Sequence, residues 1–338
     1  MAHQAPSEIA AESLTGAETF LRDIVEPCRP VVIRGLVADW PAVEAGRSPA
    51  AFRTYLAGFD AGRRAEVFVG APQIAGRYYY GEDLAGFNFE RRSMPLAEAL
   101  DAIVSSLGVS GAPSMYVGSL PTEDYLPGFA GQNPAPLPTA SAGPRIWLGH
   151  ASNVSCHYDT VDNLACVVAG QRRFTLYAPE LIGGLYVGPI DHTMAGPPVS
   201  LAASEAADDT RYPRFAAVRD QALVAELEPG DALYLPKLWW HRVEATAPFN
   251  GLVNYWWDAF AAGPDAPYTT LLLAMIALCE RPEPERRAWR ALFDHYVFRL
   301  NGHPLAHLPP ERHGLLGPLN AGNYGKLRAR VLNLLRGG

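Results

Sequence analysis

Between residues 146 and 257 the chain consists of short β-rich runs separated by turn residues, a pattern that few architectures accommodate. Turns are predicted at residues 169–170, 229–231 and 248–250, where glycine, proline, asparagine and aspartate interrupt the runs. Many short strands separated by such turns are typical of a β-sandwich or a β-barrel. The predicted strands are Ile146–Leu148, Leu164–Val168, Arg173–Tyr177, Val224–Glu226, Ala232–Leu235 and Gly251–Trp257.

A long polar insert interrupts this pattern at about residues 191–219. Loops of this length without secondary structure of their own are uncommon in compact domains and usually serve a function. We therefore expect the insert to cover one mouth of the barrel.

The segment before the β-rich region mixes two kinds of signal. Residues 29–35 and 65–69 are apolar and β-branched, which predicts strands. Residues 48–56 and 95–107 have apolar side chains at helical spacing, which predicts helices. This part is therefore expected to be mixed rather than purely β.

The C-terminal part is predicted to be helical. Residues 269–279 are apolar around most of a helix and should be buried, either within the fold or against a second subunit. Two amphipathic stripes follow, at residues 289–300 and 324–335.

Charge and composition argue against several classes of protein. A formal net charge of −7 offers no positive field for phosphate backbones, so no nucleic-acid partner is expected. The longest apolar run is too short to cross a bilayer and the first residues lack a signal-peptide pattern, so we expect a cytoplasmic protein without a membrane partner. The four cysteines include no CxxC pair, which argues against a disulfide framework or a thiolate zinc site.

The strongest chemical signal is the triplet His157-Tyr158-Asp159. In a strand, residues two apart point to the same face, so the imidazole and the carboxylate would converge while Tyr158 points away. A third ligand must come from elsewhere, and His241, 84 residues downstream, is the natural candidate. Two histidines and one carboxylate leave coordination positions open and suit iron(II) oxygenases, although zinc or manganese would accept the same ligands.

Three segments resemble a known family. They are HYDTVDNLACVVAGQRRFTLYAPE (157–180), PGDALYLPKLWWHRVEA (229–245) and LVNYWW (252–257). In this order they resemble the cupin-like JmjC hydroxylases, and most closely the branch that includes the asparaginyl hydroxylase called factor inhibiting HIF. EPCRPVVIRGLVADWPAV (26–43) is similar to the N-terminal element of that branch.

This resemblance implies a mainly β fold with helical additions, a double-stranded β-helix of the cupin or jelly-roll type. Mixed N-terminal elements and a C-terminal helical region accompany the barrel. The catalytic domain would span residues 1–258, with a barrel core at about 115–258. The helical region would span residues 259–338 and pair two subunits into a homodimer.

The resemblance also implies roles for individual residues. His157, Asp159 and His241 match the iron ligands. Arg172 matches the basic residue that holds the distal carboxylate of 2-oxoglutarate, which a guanidinium can grip in bidentate fashion. Strand alternation places Phe174 on the same face as Arg172.

Five further positions are assigned to the co-substrate pocket. Tyr116 matches a tyrosine that hydrogen-bonds the same carboxylate, and Asn163 and Asn254 match amides near the co-substrate. Ser155 is the hydroxyl nearest to the position where the family often has a threonine. Trp256 matches a second aromatic residue of the pocket.

The function implied is an Fe(II)- and 2-oxoglutarate-dependent dioxygenase that uses O2 to hydroxylate a C–H bond and releases succinate and CO2. Its substrate would be a protein, a peptide or an amino-acid-like small molecule. Two alternatives remain open from the residues alone. One is a non-catalytic metal-binding cupin that acts as a sensor or interaction protein, and the other is a cupin metalloenzyme that uses no keto acid.

Overall fold

The chain folds into two compact units, Met1–Ala259 and Phe260–Gly338, separated one residue after the boundary predicted above. The computed structural model describes residues 4–137, 142–194, 196, 198–204, 210–261, 263–319 and 322–337. Over these ranges, none of the helices combines the length and the apolar character that a membrane span requires.

The first unit is built around β-strands, twelve of them in the described ranges. They are β1 (Ser7–Ala10), β2 (Val31–Arg34), β3 (Arg64–Gly70), β4 (Arg77–Tyr78), β5 (Phe89–Pro95), β6 (Ser114–Pro121), β7 (Arg145–His157), β8 (Asp162–Ala169), β9 (Arg172–Tyr177), β10 (Leu223–Leu227), β11 (Ala232–Leu235) and β12 (Trp240–Trp257).

Short helices connect and cover these strands, and three longer helices form most of the second unit. In the first unit they are α1 (Ala17–Phe20), α2 (Pro41–Ala45), α3 (Pro49–Ala57), α4 (Leu96–Ser105), α5 (Thr122–Tyr125), α6 (Phe129–Gln132), α7 (Ile182–Leu185), α8 (Leu201–Ser204) and α9 (Ala216–Arg219). In the second unit they are α10 (Pro267–Leu278), α11 (Glu283–Tyr296) and α12 (Asn323–Arg336).

The strands form two layers that share β7 and β12. The larger layer has the order β1-β2-β11-β8-β12-β7-β6-β3-β5. The first half of β12 also pairs with β9, which pairs with β10, and β4 runs parallel to the end of β7. These mainly antiparallel layers, joined by their two longest strands, form a barrel of the jelly-roll type, as the sequence predicted.

The predicted turn at residues 248–250 is wrong, because β12 continues through it. The pairing of β12 with β7 shifts register between Ala245 and Phe249, so Pro248 lies where the ladder is already interrupted and needs no N–H donor. Asn250 supports the neighbouring turn, since its Oδ1 accepts from the N–H of Gln171 at 3.2 Å. That turn contains Gly170 at φ +70°, a left-handed conformation that glycine adopts without a steric penalty.

The central strand β8 explains how two hydrophobic cores share one sheet. Every residue of β8 is buried, and after the polar pair Asp162 and Asn163 its sequence is apolar from Leu164 to Ala169. Leu164, Cys166 and Val168 pack into a core with the N-terminal helices. Ala165 and Val167 face the barrel interior, so this strand separates the structural core from the interior that holds the site.

The insert at 191–219 lies against the barrel mouth in its described part. Val199 bridges to His157, and Met194 and Val199 line the interior cavity. This position agrees with the covering role predicted from its length.

The second unit leaves its apolar residues exposed. Ile276 of α10 is 83% exposed and Leu334 of α12 is 69% exposed. The expectation that residues 269–279 are buried within the fold is therefore wrong, and burial against a second subunit stays a prediction. Within this unit Arg328 pairs with Asp265 at 2.9 Å, and Tyr324 donates a hydrogen bond to the same carboxylate.

Candidate metal centre

The pairing of β7 with β12 brings the candidate ligands together. His157 is the last residue of β7, and His241, the second residue of β12, is its direct partner in the antiparallel ladder. Asp159 lies just beyond the end of β7, not within the strand as the alternation argument assumed. The two side chains of the triplet nevertheless converge on the same point, because the chain turns only after Asp159.

The three side chains form a compact cluster of ligand atoms. One nitrogen or oxygen atom from each lies within 4.8 Å of those from the other two. The imidazole centroids of His157 and His241 are 4.2 Å apart, and Nε2 of His241 is 3.9 Å from Oδ2 of Asp159. One ion of ordinary coordination distance, about 2.0–2.2 Å to each ligand, can bridge such spacings.

Backbone carbonyls determine which imidazole nitrogen is free. Nδ1 of His157 lies 2.7 Å from the carbonyl oxygen of Ser155, and Nδ1 of His241 lies 2.9 Å from that of Trp239. A carbonyl can only accept, so both Nδ1 atoms carry the hydrogen and both Nε2 lone pairs face the cluster. Burial, and then the neighbouring His157, lower the pKa of His241 to about 4, which keeps it neutral as a ligand.

A chain of side-chain hydrogen bonds orients Asp159. Its Oδ2 accepts from Nε1 of Trp256 at 3.1 Å and from Nδ2 of Asn163 at 3.4 Å. Asn254 donates to Oδ1 of Asn163 at 3.1 Å and accepts from Nε1 of Trp147 at 2.7 Å. Both amides are buried, so the chain holds the carboxylate in one orientation.

The cluster fits a divalent transition metal by its donor set. Two neutral imidazoles and one carboxylate, all on one side, form the facial arrangement typical of non-haem Fe(II) sites. Their open side faces a cavity of about 360 Å³ inside the barrel. Sites of this volume accommodate small molecules.

Arg172 is a buried cation in the same cavity. It is only 4% exposed, and its Nε has no hydrogen-bond partner among the described residues. No carboxylate in those ranges pairs with its guanidinium. Burial lowers the pKa of this group, yet arginine stays charged in proteins, so the site lacks a negative partner. A carboxylate ligand would supply it.

Tyr116 lies beside this cation. It is buried and lines the same cavity, and burial raises the pKa of its hydroxyl well above the ordinary value, with Arg172 as a smaller opposing influence. The hydroxyl therefore remains protonated and can donate to an anion held by Arg172.

Other predicted pocket residues lie where expected but not always with the expected partners. Phe174 lines the cavity with Arg172, as strand alternation requires. Ser155 also lines it, but its hydroxyl donates to the carbonyl of Tyr78 at 2.9 Å, so that hydrogen is not available to a co-substrate. Asn163, Asn254 and Trp256 border the cavity and contribute to the chain that orients Asp159.

Trp147 was not predicted from the sequence. Its indole begins the hydrogen-bonded chain, and it lies ten residues before His157 in the same strand. The ladder shifts register twice between these two residues, so parity along β7 alone does not place Trp147; its pairing with Leu252, which also lines the cavity, does. The sequence predicted only Ile146–Leu148 as a strand, which concealed this relation.

Trp256→Phe is expected to weaken metal binding by about 10- to 100-fold, since it removes the shorter hydrogen bond to Asp159 and keeps the ring. Anaerobic titration of the protein with Fe(II) measures the change. Trp289→Phe, on the exposed face of α11, is the matched control and should leave the affinity unchanged. Equal affinities for wild type and Trp256→Phe would contradict the role of this indole.

Comparison with known proteins agrees with this geometry. The family model described as a cupin-like domain matches residues 17–263. Over 271 residues the chain is 30% identical to the human "Bifunctional peptidase and (3S)-lysyl hydroxylase JMJD7", covering 71% of this chain and 80% of the relative.

Two further relatives match shorter parts of longer proteins. "Jumonji C domain-containing protein 5" of Drosophila melanogaster is 39% identical over 115 residues, 34% of this chain and 27% of the relative. "Lysine-specific demethylase JMJ30" of Arabidopsis thaliana is 26% identical over 253 residues, 71% of this chain and 52% of the relative. The chain thus spans about a quarter of the fly protein and half of the plant protein.

None of these three relatives is named as an asparaginyl hydroxylase, so the narrower resemblance to that branch stays a prediction. The broader resemblance is confirmed by a family match over most of the chain, together with the human relative. The chain belongs to the cupin-like domain family, as a member of the JmjC type.

Proposed function

We propose that this protein is an Fe(II)- and 2-oxoglutarate-dependent dioxygenase that hydroxylates a C–H bond and releases succinate and CO2. One observation carries the proposal. The cavity that holds the facial cluster of His157, Asp159 and His241 also holds Arg172, a buried cation without a partner among the described residues. Metal ligands and an anion anchor in one small cavity are what a metal-bound keto acid needs.

Different residues would bind the iron, bind 2-oxoglutarate and exclude water from the cavity. His157, Asp159 and His241 would hold the iron, which when bound supplies the activation of O2 for C–H oxidation. Arg172 and Tyr116 would bind the distal carboxylate of 2-oxoglutarate. Apolar side chains, among them Phe174, Val243 and Leu252, line the space between and limit water near the reacting groups.

The substrate is proposed to be a side chain of a protein or peptide, or a related amino-acid-like molecule. The human relative is named as a lysyl hydroxylase and the plant relative as a lysine-specific demethylase, which supports a protein side chain. Most of the cavity lining is apolar, which suits a C–H bond as the reacting group.

Aerobic incubation with Fe(II) and 2-oxoglutarate tests the reaction without knowledge of the substrate. We expect slow formation of succinate, quantified by NMR, that requires both additions. Metal and keto-acid binding without any succinate would indicate a sensor or interaction protein. Turnover of another substrate that is independent of 2-oxoglutarate and of Arg172 would indicate a different cupin metalloenzyme.

We propose further that the protein is a cytoplasmic homodimer that pairs through its C-terminal helices. The exposed apolar side chains of α10 and α12, such as Ile276 and Leu334, support pairing because large exposed apolar patches are rare in monomers. Light scattering coupled to size exclusion should give twice the chain mass at micromolar concentration, and Ile276→Asp should lower it. A wild-type monomer under these conditions would refute the pairing.

A further inference from the structure

A buried ion cluster joins the ends of β8, β11 and β12, and the proposed function assigns it no role. Asp162, the first residue of β8, is only 2% exposed. Its Oδ2 lies 3.2 Å from Nζ of Lys237, and the same Nζ lies 2.5 Å from Oδ1 of Asp258. One ammonium group thus bridges two carboxylates and supplies the counter-charge that the buried Asp162 requires.

Both carboxylate oxygens of Asp162 also accept hydrogen bonds from neutral donors. Oδ1 accepts from the hydroxyl of Tyr234 at 3.0 Å, and Oδ2 accepts from the N–H of Ala259 at 3.2 Å. Lys237 is one of only two lysines among the 28 basic residues of the chain, and its compact ammonium suits a place where two carboxylates meet. Because these groups already bind one another, the cluster is built to hold the fold rather than to bind a ligand.

The segment 236–239, which carries Lys237, has a strained backbone. Leu238 has a φ of +69°, in the left-handed region that leucine seldom adopts. Leu238 is 46% exposed, so burial of its side chain does little to offset the strain. Strain of this kind persists only where the surrounding contacts hold it, and it is concentrated at functional sites. The ion pair between the adjacent Lys237 and the buried Asp162 is such a contact.

The same segment contacts two of the three candidate metal ligands. The N–H of Leu238 donates to the carbonyl oxygen of Asp159 at 2.8 Å. The carbonyl oxygen of the next residue, Trp239, accepts from Nδ1 of His241 at 2.9 Å. The conformation of this segment therefore determines where the backbone of Asp159 lies and how the ring of His241 is turned towards the metal.

We propose that Asp162, Lys237 and Asp258 position the metal ligands by holding segment 236–239 in its strained conformation. None of the three lines the catalytic cavity, so they act through the segment and not on the metal itself. Loss of the ammonium leaves two carboxylates that repel each other, and the segment is then free to relax. The inference rests on the proposed function, because it requires a metal ion at Asp159 and His241.

Two measurements on the metal-free full chain test this role, anaerobic titration with Fe(II) and visible absorption after loading with Co(II). Lys237→Met should weaken Fe(II) binding about tenfold, the lower end of the cost of losing a supporting contact. The Co(II) absorption should also change, because it depends on the arrangement of the ligands. Asp258→Asn should act in the same direction to a smaller extent, and it carries the test if Lys237→Met does not fold.

Arg34→Met is the matched control. Arg34 also bridges two carboxylates, those of Glu8 and Asp231, each at 2.7 Å, but beside the start of β11. Its replacement should lower the melting temperature and leave the Fe(II) affinity and the Co(II) spectrum unchanged. Wild-type affinity and spectrum in Lys237→Met, or in Asp258→Asn where that variant carries the test, would overturn this inference alone. So would an equal loss of affinity in Arg34→Met, whereas a wild type that binds no Fe(II) would overturn the proposed function as well.

Discussion

His157→Ala is expected to abolish succinate formation from 2-oxoglutarate. The variant removes one of the three candidate ligands. His241 and Asp159 remain, and two ligands would bind a metal ion more weakly than three. Loss of a supporting hydrogen bond already costs about 10- to 100-fold in metal affinity, so loss of a ligand should cost at least a hundredfold. Anaerobic Fe(II) titration and succinate measurement by NMR report the two effects separately.

The fold should survive this substitution, because His157 lies at the end of β7 and is only half-buried. His307→Ala, at an exposed position in the second unit, is the matched control and should retain both metal binding and turnover. A His157→Ala variant whose turnover stays within tenfold of wild type would remove this histidine from the metal site. Circular dichroism of both variants separates loss of ligand from loss of fold.

Arg172→Met is expected to change two properties in opposite directions. It should weaken 2-oxoglutarate binding by about a hundredfold, since a bidentate charge-assisted contact contributes roughly 3 kcal/mol. It should also stabilise the ligand-free protein by about 1 kcal/mol or more, because Nε is buried without a partner and a methionine removes that unsatisfied donor. Titration with 2-oxoglutarate and thermal unfolding without ligand measure the two effects.

The adjacent residue provides the control for both measurements. Arg173→Met alters the same strand on its opposite face, where the native arginine is 47% exposed and pairs with Glu226. It should leave 2-oxoglutarate affinity unchanged, and it removes only an exposed ion pair, whose contribution to stability is small. If Arg172→Met lowers the melting temperature and keeps full affinity, the guanidinium has a structural partner and the anchor assignment fails.

Local features of the site could be predicted because side chains along a strand point alternately to its two faces. That period placed Arg172 and Phe174 on one wall of the cavity, and the structure agrees. The same reasoning missed the length of β7, of which only Ile146–Leu148 was predicted, and that of β12, because residues 248–250 contain proline and asparagine and were predicted as a turn. Pairing between the two strands overrides that local preference, and a register shift absorbs the proline.

For the pocket residues, the location in the cavity was predicted correctly more often than the hydrogen-bond partner. Asn163, Asn254 and Trp256 were assigned to the co-substrate or pocket, yet in the structure they orient Asp159. The resemblance predicts that a residue lies in the cavity, but the hydrogen-bond partner of its side chain depends on which groups pack beside it. Ser155 illustrates the same limit, since its hydrogen goes to the backbone of Tyr78.

By itself, the sequence determined the chemical types at the site and the faces on which they lie, because side-chain chemistry and strand alternation are local properties. Only the tertiary structure decided that His241 meets His157 across a ladder, since that contact closes a loop of 84 residues and depends on the register of the whole of β12. It also decided that Arg172 is buried without a counter-charge, because burial and pairing depend on which distant segments pack around a residue.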